Sequence, residues 1–166
     1  AGQASGEILR LLREKLGSDN INKKAVQGGT DFNPLGCLSR TGKFYTSANE
    51  DFDEAKKLIE LASDLPGFSV LEVNASLLHN AGSSIVQELG FGLAMGIEYL
   101  AHLTDRGLSV DEVARSMRFR FGVGPAYFLE IAKFRAARML WAKVVESYGP
   151  SNELFTQMKI HASTSH

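Results

Sequence analysis

Apolar residues along the chain follow two different spacings, which separate candidate helices from candidate strands. A spacing of three or four positions is typical of an amphipathic helix, whereas alternation or a short apolar run is typical of a strand. Helical spacing predicts helices at residues 7–16, 49–65, 83–105, 109–116 and 127–147, with a single turn at 35–38. Strand patterns predict strands at residues 25–31, 68–78, 117–123 and 158–162.

Residues at the ends of these segments support several of the bounds. Ser84 and Ser109 are N-cap residues for the helices that follow them, because a serine hydroxyl accepts a hydrogen bond from the first helical turn. Gly149-Pro150 ends the last helix. The strand at 117–123 alternates phenylalanine with arginine, so we expect one buried and one polar face.

Strands that alternate with helices of this length predict parallel strands in an α/β fold. Four strands fit either an open doubly wound sheet or half of a (β/α)8 barrel, since a complete barrel needs about 250 residues. No low-complexity linker divides the chain. We therefore predict a single domain over residues 1–166, in which residues 1–24 form an N-terminal helix and loop.

Composition excludes several classes of protein. The 44% hydrophobic content is too high for a disordered chain, and a net charge of -1 gives no reason to bind nucleic acid or an anionic membrane. No apolar run of about 18 residues predicts a membrane span. Cys37 is the single cysteine, and the N-terminus has no signal-peptide pattern, so we expect a cytoplasmic protein.

Histidine spacing gives no indication of a metal site, because no pair lies four residues apart on a helix and the cysteine stands alone. His79 follows a predicted strand and precedes Asn80-Ala81-Gly82. In parallel α/β proteins ligands bind at such junctions. His79 is therefore a candidate catalytic residue, or a histidine whose ring is satisfied by loop backbone.

Basic residues cluster around the last strand–helix unit. They are Arg118, Arg120, Lys133, Arg135, Arg138 and Lys143. Such a cluster suits phosphate or carboxylate groups of a nucleotide-tailed thioester, which makes Lys133, Arg118 and Arg120 candidate substrate-binding residues. The alternative is a solvated helix face with ion pairs to Glu130. The residues alone leave both interpretations open.

A long stretch of this helix resembles a known family. The string Glu130-Ile131-Ala132-Lys133-Phe134-Arg135-Ala136-Ala137-Arg138-Met139-Leu140-Trp141 is similar to that of the adenosylcobalamin-dependent methylmalonyl-CoA mutases. Three further segments are similar to the same family, at residues 31–36, 81–100 and 159–165. Together they cover most of the chain from about residue 25 onward.

The resemblance implies a part of the family's (β/α)8 barrel, with about four parallel strands and alternating helices. In the complete mutase this barrel binds acyl-CoA through its centre and faces a separate cobalamin-binding domain. Bound adenosylcobalamin supplies a radical for the interconversion of methylmalonyl-CoA and succinyl-CoA. The cobalt-ligand motif Asp-x-His-x-x-Gly is absent here. We therefore expect adenosylcobalamin in the whole complex and not on this chain alone.

One departure from the family pattern indicates the type of subunit. Catalytic subunits carry Tyr-His-Met-Gln-Glu-Ala-Gly after the strand. Alignment on Ala81-Gly82 places Leu77 at the position of the histidine and His79 at that of the glutamine. Leucine can neither donate a hydrogen bond to a thioester oxygen nor transfer a proton. The resemblance thus implies the small, non-catalytic subunit, whose partner is a large catalytic subunit.

Two alternatives stay open. The chain is a catalytically competent barrel fragment if His79 takes the electrostatic role and Lys133 holds coenzyme A phosphates. In the second alternative the chain is an unrelated half-barrel that binds a phosphorylated metabolite. We also expect that the chain is a part excised from a longer protein. A half-barrel leaves two edge strands and an inner face uncovered, so we expect it to self-associate or to have a collapsed or partly rearranged inner face.

Overall fold

The computed structural model describes residues 2–164, which form one four-stranded parallel sheet with helices between the strands. The strands are β1 (Gln27–Phe32), β2 (Gly67–Asn74), β3 (Met117–Val123) and β4 (Ile160–Thr164). The helices are α1 (Ser5–Ser18), α2 (Pro34–Thr41), α3 (Ala48–Leu61), α4 (Ser76–Asn80), α5 (Ile85–Asp105), α6 (Val110–Ser116) and α7 (Tyr127–Ser147). The strand order in the sheet is β1-β2-β3-β4, so the prediction of a partial (β/α)8 barrel is confirmed.

Most elements lie where the sequence places them. The bounds of β3 and α7 agree with the predicted ranges, and Ser84 and Ser109 both cap their helices through reciprocal capping boxes. Asn33 caps α2 and Pro34 occupies its first turn, which extends the predicted single turn to Pro34–Thr41. Among residues 2–164, no helix is long and apolar enough to span a membrane.

The prediction of a strand over residues 68–78 is wrong at its C-terminal end. Strand β2 ends at Asn74, where its register with β3 also ends, and the short helix α4 follows. The Ser76 hydroxyl donates a hydrogen bond to Asn74 Oδ1 at 2.7 Å at the point where the chain leaves the sheet. Leu77 and Leu78 continue the apolar run of the strand, and for this reason the sequence pattern does not reveal the turn.

The two faces of the sheet have different chemistry. Phe119 and Phe121 of β3 are buried on the outer face, where they pack against α5 and α7. The alternate residues Arg118 and Arg120 lie on the inner face together with Glu72 of β2. The prediction of one buried and one polar face for this strand is confirmed.

Close packing of α5 on the outer face depends on a glycine. A β-carbon added at Gly96 would lie 2.7 Å from Trp141 Cζ3 and 2.8 Å from Phe119 Cζ. We expect Gly96→Ala to lower the free energy of unfolding by about 1–3 kcal/mol, because rings on two elements would have to move. Chemical denaturation measures this change.

Gly90 on the same helix provides the matched control. Apart from its chain neighbours and the nearby backbone of the helix itself, no atom of the described residues lies within 4 Å of a β-carbon added there. Gly90→Ala should therefore raise the free energy of unfolding by about 0.5–1 kcal/mol through helix propensity alone. Equal effects of the two substitutions would contradict the packing role of Gly96.

Candidate functional site

The C-terminal ends of β1 and β2 border a cavity of about 300 Å³, which we call the mouth pocket. Its lining comprises Gly2, Asp31, Asn33, Gly36, Cys37, Arg40, Tyr45, Glu72, Asn74 and Leu77. Ligands of (β/α) barrels bind at this end of the strands, because the loops that follow the strands converge there. The mouth pocket is therefore the candidate functional site of the chain.

Hydrogen bonds fix much of the polar wall of the mouth pocket. Asn33 Oδ1 accepts hydrogen bonds from the Gly36 N–H at 2.9 Å and from the Tyr99 hydroxyl at 3.3 Å. Burial raises the pKa of the Tyr45 phenol, and the Cys37 thiol acts in the same direction. Tyr45 is thus a protonated hydrogen-bond donor at neutral pH. The wall can bind polar groups, but its Leu77 side chain offers no acid, base or hydrogen-bond donor.

Leu77 and His79 face different surroundings although both lie on α4. Leu77 lines the mouth pocket, whereas His79 packs at the end of β3. A β-carbon added at Gly122 would meet the His79 ring at 2.7 Å. His79 Nδ1 lies 3.2 Å from Glu88 Oε2, outside hydrogen-bond geometry, and the side chain is 15% exposed. His79 is not among the residues that line the mouth pocket.

A buried cluster of charges lies beside His79 and holds the loop between β3 and α7. We call it the loop clamp, and it consists of Glu88, Glu130 and Lys133. The Lys133 ammonium lies 2.7 Å from Glu88 Oε2 and 2.6 Å from Glu130 Oε2, and it donates to the Gly122 carbonyl at 2.6 Å. Glu88 Oε1 accepts the Gly122 N–H at 2.6 Å, and Glu130 Oε1 accepts the Gly124 N–H at 3.1 Å.

Lys133 has no contact with solvent, since its side chain and that of Glu88 are 0% exposed. The interpretation of a solvated helix face is therefore wrong for Lys133. A ligand phosphate could reach its ammonium only if the lysine left both carboxylates. Arg135 and Arg138, in contrast, are exposed on α7, as the solvated-face interpretation expects.

Arg118 and Arg120 share one carboxylate on the inner face of the sheet. Arg118 Nη2 lies 3.0 Å and Arg120 Nη2 lies 2.9 Å from Glu72 Oε1, and the three residues form what we call the inner-face triad. The Glu72 side chain is 4% exposed, whereas the two arginine side chains are 24% and 32% exposed. The structure brings the two arginines together but separates them from Lys133. Their role in substrate binding stays a prediction.

Comparison with known proteins identifies the family of the chain. Residues 2–166 match the family model described as methylmalonyl-CoA mutase. The chain belongs to the methylmalonyl-CoA mutase family.

Two relatives within the mutase family are small subunits. The chain is 50% identical over 109 residues to the methylmalonyl-CoA mutase small subunit of Porphyromonas gingivalis, an alignment that covers 65% of this chain and 18% of the relative. It is 42% identical over 150 residues to the small subunit of Streptomyces virginiae, which covers 90% of this chain and 23% of the relative. The Porphyromonas gingivalis large subunit is 36% identical over 104 residues, 63% of this chain and 14% of the relative. The chain thus spans less than a quarter of the length of these mutase subunits.

Membership of the mutase family raises the question of cobalamin, the cofactor that this family implies for the whole complex. Among residues 2–164, no group of three or more histidine, cysteine or acidic side chains is placed to hold a metal ion. His79 packs against Gly122, and His102 pairs with Glu98 and stacks on Phe52. His161 lies exposed on β4, and His166 lies outside the described residues. His79 and His102 are therefore held by neighbours within the chain, and the expectation that this chain alone binds no adenosylcobalamin stays a prediction.

Sequence interpretation named Glu130 as an ion-pair partner but missed Glu72 and Glu88, the other acidic members of the two charge clusters. Glu72 is 46 residues from Arg118 and Glu88 is 45 residues from Lys133, so no local pattern joins them. One signal was nevertheless present in α7. Glu130 and Lys133 lie on the same helical face as Trp141, and charged residues on an apolar face indicate a buried ion pair.

Proposed function

We propose that the chain is part of the small, non-catalytic subunit of a methylmalonyl-CoA mutase. In this proposal the rearrangement takes place on a large catalytic subunit, which the small subunit contacts and stabilises. Adenosylcobalamin, which supplies radical chemistry in this family, is bound elsewhere in the complex. We also propose a cytoplasmic location, which the single cysteine supports.

The observation that carries this proposal is the position of Leu77. Its side chain lines the mouth pocket, where the resemblance to catalytic subunits places a histidine. His79, the other candidate, lies beside the loop clamp with Glu88 as its charged neighbour. The polar wall therefore surrounds an aliphatic residue at the point where a thioester carbonyl would need a hydrogen-bond donor.

The names of the relatives support the same proposal. Two small subunits share 50% and 42% of the aligned residues with this chain, whereas the large subunit of Porphyromonas gingivalis shares 36%. Mutases with small and large subunits provide the catalytic partner that a chain lacking the histidine would require.

An activity assay with the full-length subunit tests this function. The purified full-length small subunit, supplied with adenosylcobalamin and methylmalonyl-CoA, should form no succinyl-CoA. Addition of the large subunit should restore turnover. Replacing the histidine in the large subunit's Tyr-His-Met-Gln-Glu-Ala-Gly string by leucine should lower kcat by about 100-fold or more, the contribution of a positioned acid or base.

Two variants of the small subunit separate the proposal from the catalytically competent alternative. Leu77→His alone should leave the complex at its original rate, because Ser76 also replaces the tyrosine of the catalytic string. His79→Gln should likewise leave kcat unchanged. Turnover by the isolated small subunit that disappears in His79→Gln would overturn the proposal.

A further inference from the structure

Lys159 is a half-buried lysine whose side chain has no acidic partner. It immediately precedes β4, and its backbone carbonyl accepts a hydrogen bond from the Phe119 N–H at 2.8 Å, which holds it against β3. Its side-chain nitrogen donates to the Arg115 carbonyl at 2.6 Å and to the Ser69 hydroxyl at 3.2 Å. Within the part of the chain that the structure describes, no carboxylate pairs with it. Lys159 thus differs from the lysine of the loop clamp, which two carboxylates hold in its charged form.

The surroundings of Lys159 disfavour a positive charge on its side chain. Burial lowers the pKa of the Lys159 amine, and the Arg115 guanidinium acts in the same direction. Among residues 2–164, that guanidinium on α6 is the charged group that acts on Lys159. Strand β2 contributes the neutral Ser69 hydroxyl, and β3 contributes its backbone. More of the Lys159 amine is therefore neutral at a given pH than in a fully solvated lysine.

The two hydrogen-bond acceptors around Lys159 also suit its neutral form. An ammonium has three N–H donors and no acceptor, whereas a neutral amine has two N–H donors and one lone pair. The Arg115 carbonyl and the Ser69 hydroxyl accept two donors. Neutral Lys159 can therefore satisfy both of its N–H groups and keep its lone pair free. Partly buried lysines of this kind act as nucleophiles in proteins.

Lys159 lies at the opposite end of the sheet from the mouth pocket. Ser69 is near the start of β2, and α6, which carries Arg115, ends directly before β3. The mouth pocket, in contrast, borders the C-terminal ends of β1 and β2. A reaction at Lys159 would consequently need no residue of the mouth pocket.

We propose that Lys159 is a site of acylation by acyl-CoA thioesters. The proposal rests on the proposed function, which brings the chain together with a thioester of this class. The Lys159 nitrogen attacks the thioester carbonyl carbon, so a carbon–nitrogen bond forms and the carbon–sulfur bond breaks. The sulfur leaves as the thiolate of coenzyme A and takes up the proton that the nitrogen loses. The product is an uncharged amide, which removes the repulsion between Lys159 and Arg115.

Mass spectrometry of the full-length subunit after incubation with succinyl-CoA tests the proposal. Peptide masses give the initial rate of succinylation at each lysine at neutral pH. Lys159 should react at least about threefold faster than Lys143, which is exposed on α7, because a larger fraction of its amine is neutral. Arg115→Met should slow the reaction of Lys159 at least about twofold, because it removes the neighbouring positive charge and keeps the backbone carbonyl. Thermal unfolding of the variant establishes that the fold is retained.

Lys56 provides the matched control within the same protein. Its ammonium also donates to a backbone carbonyl, that of Arg106 at 2.8 Å, and its side chain is 35% exposed. The Glu60 carboxylate lies 3.8 Å from the Lys56 nitrogen and favours its charged form. Lys56 should therefore be succinylated more slowly than Lys159, although both lysines are partly buried.

A second reagent, acetic anhydride, separates the reactivity of the amine from its accessibility. Faster labelling of Lys159 than of Lys56 and Lys143 by both reagents would support the proposal. Faster labelling by acetic anhydride alone would overturn it, because the thioester could not reach the amine. Rates at Lys159 that do not exceed those of the two control lysines with either reagent would overturn it as well. These measurements do not involve turnover, so their failure would leave the proposed function in place, which the activity assay decides separately.

Discussion

Replacing Lys133 by methionine is expected to lower the free energy of unfolding by about 3–5 kcal/mol, the usual cost of removing one partner from a buried charge cluster. Methionine preserves most of the side-chain volume, so the decrease in the free energy of unfolding reflects the removal of the charge. Without the ammonium, Glu88 and Glu130 would be left with no cation between them in a site where Lys133 and Glu88 are 0% exposed. The Gly122 carbonyl would also lose its donor.

Urea denaturation of the chain and its variants measures this effect. Lys143→Met is the control, because Lys143 is exposed on the same helix, and its effect should stay within about 0.5 kcal/mol. Adding Glu88→Gln to Lys133→Met removes one unpaired carboxylate. The double variant should therefore recover a substantial part of the free energy of unfolding that Lys133→Met loses. If Lys133→Met and Lys143→Met change the free energy of unfolding by the same amount, the loop clamp does not stabilise the fold.

The second large effect is expected at the inner-face triad. Glu72→Gln keeps the shape of the side chain but leaves Arg118 and Arg120 side by side without a counter-charge. We expect the free energy of unfolding to fall by about 2 kcal/mol. This is less than for a fully buried ion pair, because the two guanidinium groups remain partly exposed to water.

Denaturation also measures this second effect, with Glu98→Gln as the matched control. Glu98 is 53% exposed and pairs with His102 on the surface, so the same carboxylate-to-amide change should cost less than about 0.5 kcal/mol. Arg118→Met should cost less than Glu72→Gln, because Arg120 would still neutralise the carboxylate. A larger loss for Arg118→Met would contradict the central role of Glu72.

The sequence predicted those parts of the fold that depend on local patterns. Strand β3 has a strict alternation of phenylalanine and arginine, and α7 is bounded by Gly124-Pro125 and Gly149-Pro150, so both were predicted with the observed bounds. Helix α4 was missed because Leu77 and Leu78 prolong the apolar pattern of β2. The turn there carries a hydrogen bond between Ser76 and Asn74, which hydrophobic spacing does not reveal.

The candidate site was less predictable because its charges pair across elements distant in sequence. Lys133 was interpreted as either a phosphate-binding or a solvated residue, and its partner Glu88 was not considered. Leu77 lines the mouth pocket, and its match to the histidine position of the catalytic pattern stays a prediction.

The order of the strands has a consequence for biosynthesis. Each of β2, β3 and β4 pairs with the strand that precedes it in the chain, so none of these three waits for a later strand to supply its first neighbour. A nascent polypeptide leaving the ribosome can therefore add one strand–helix unit at a time to the growing sheet, beginning from its N-terminal side.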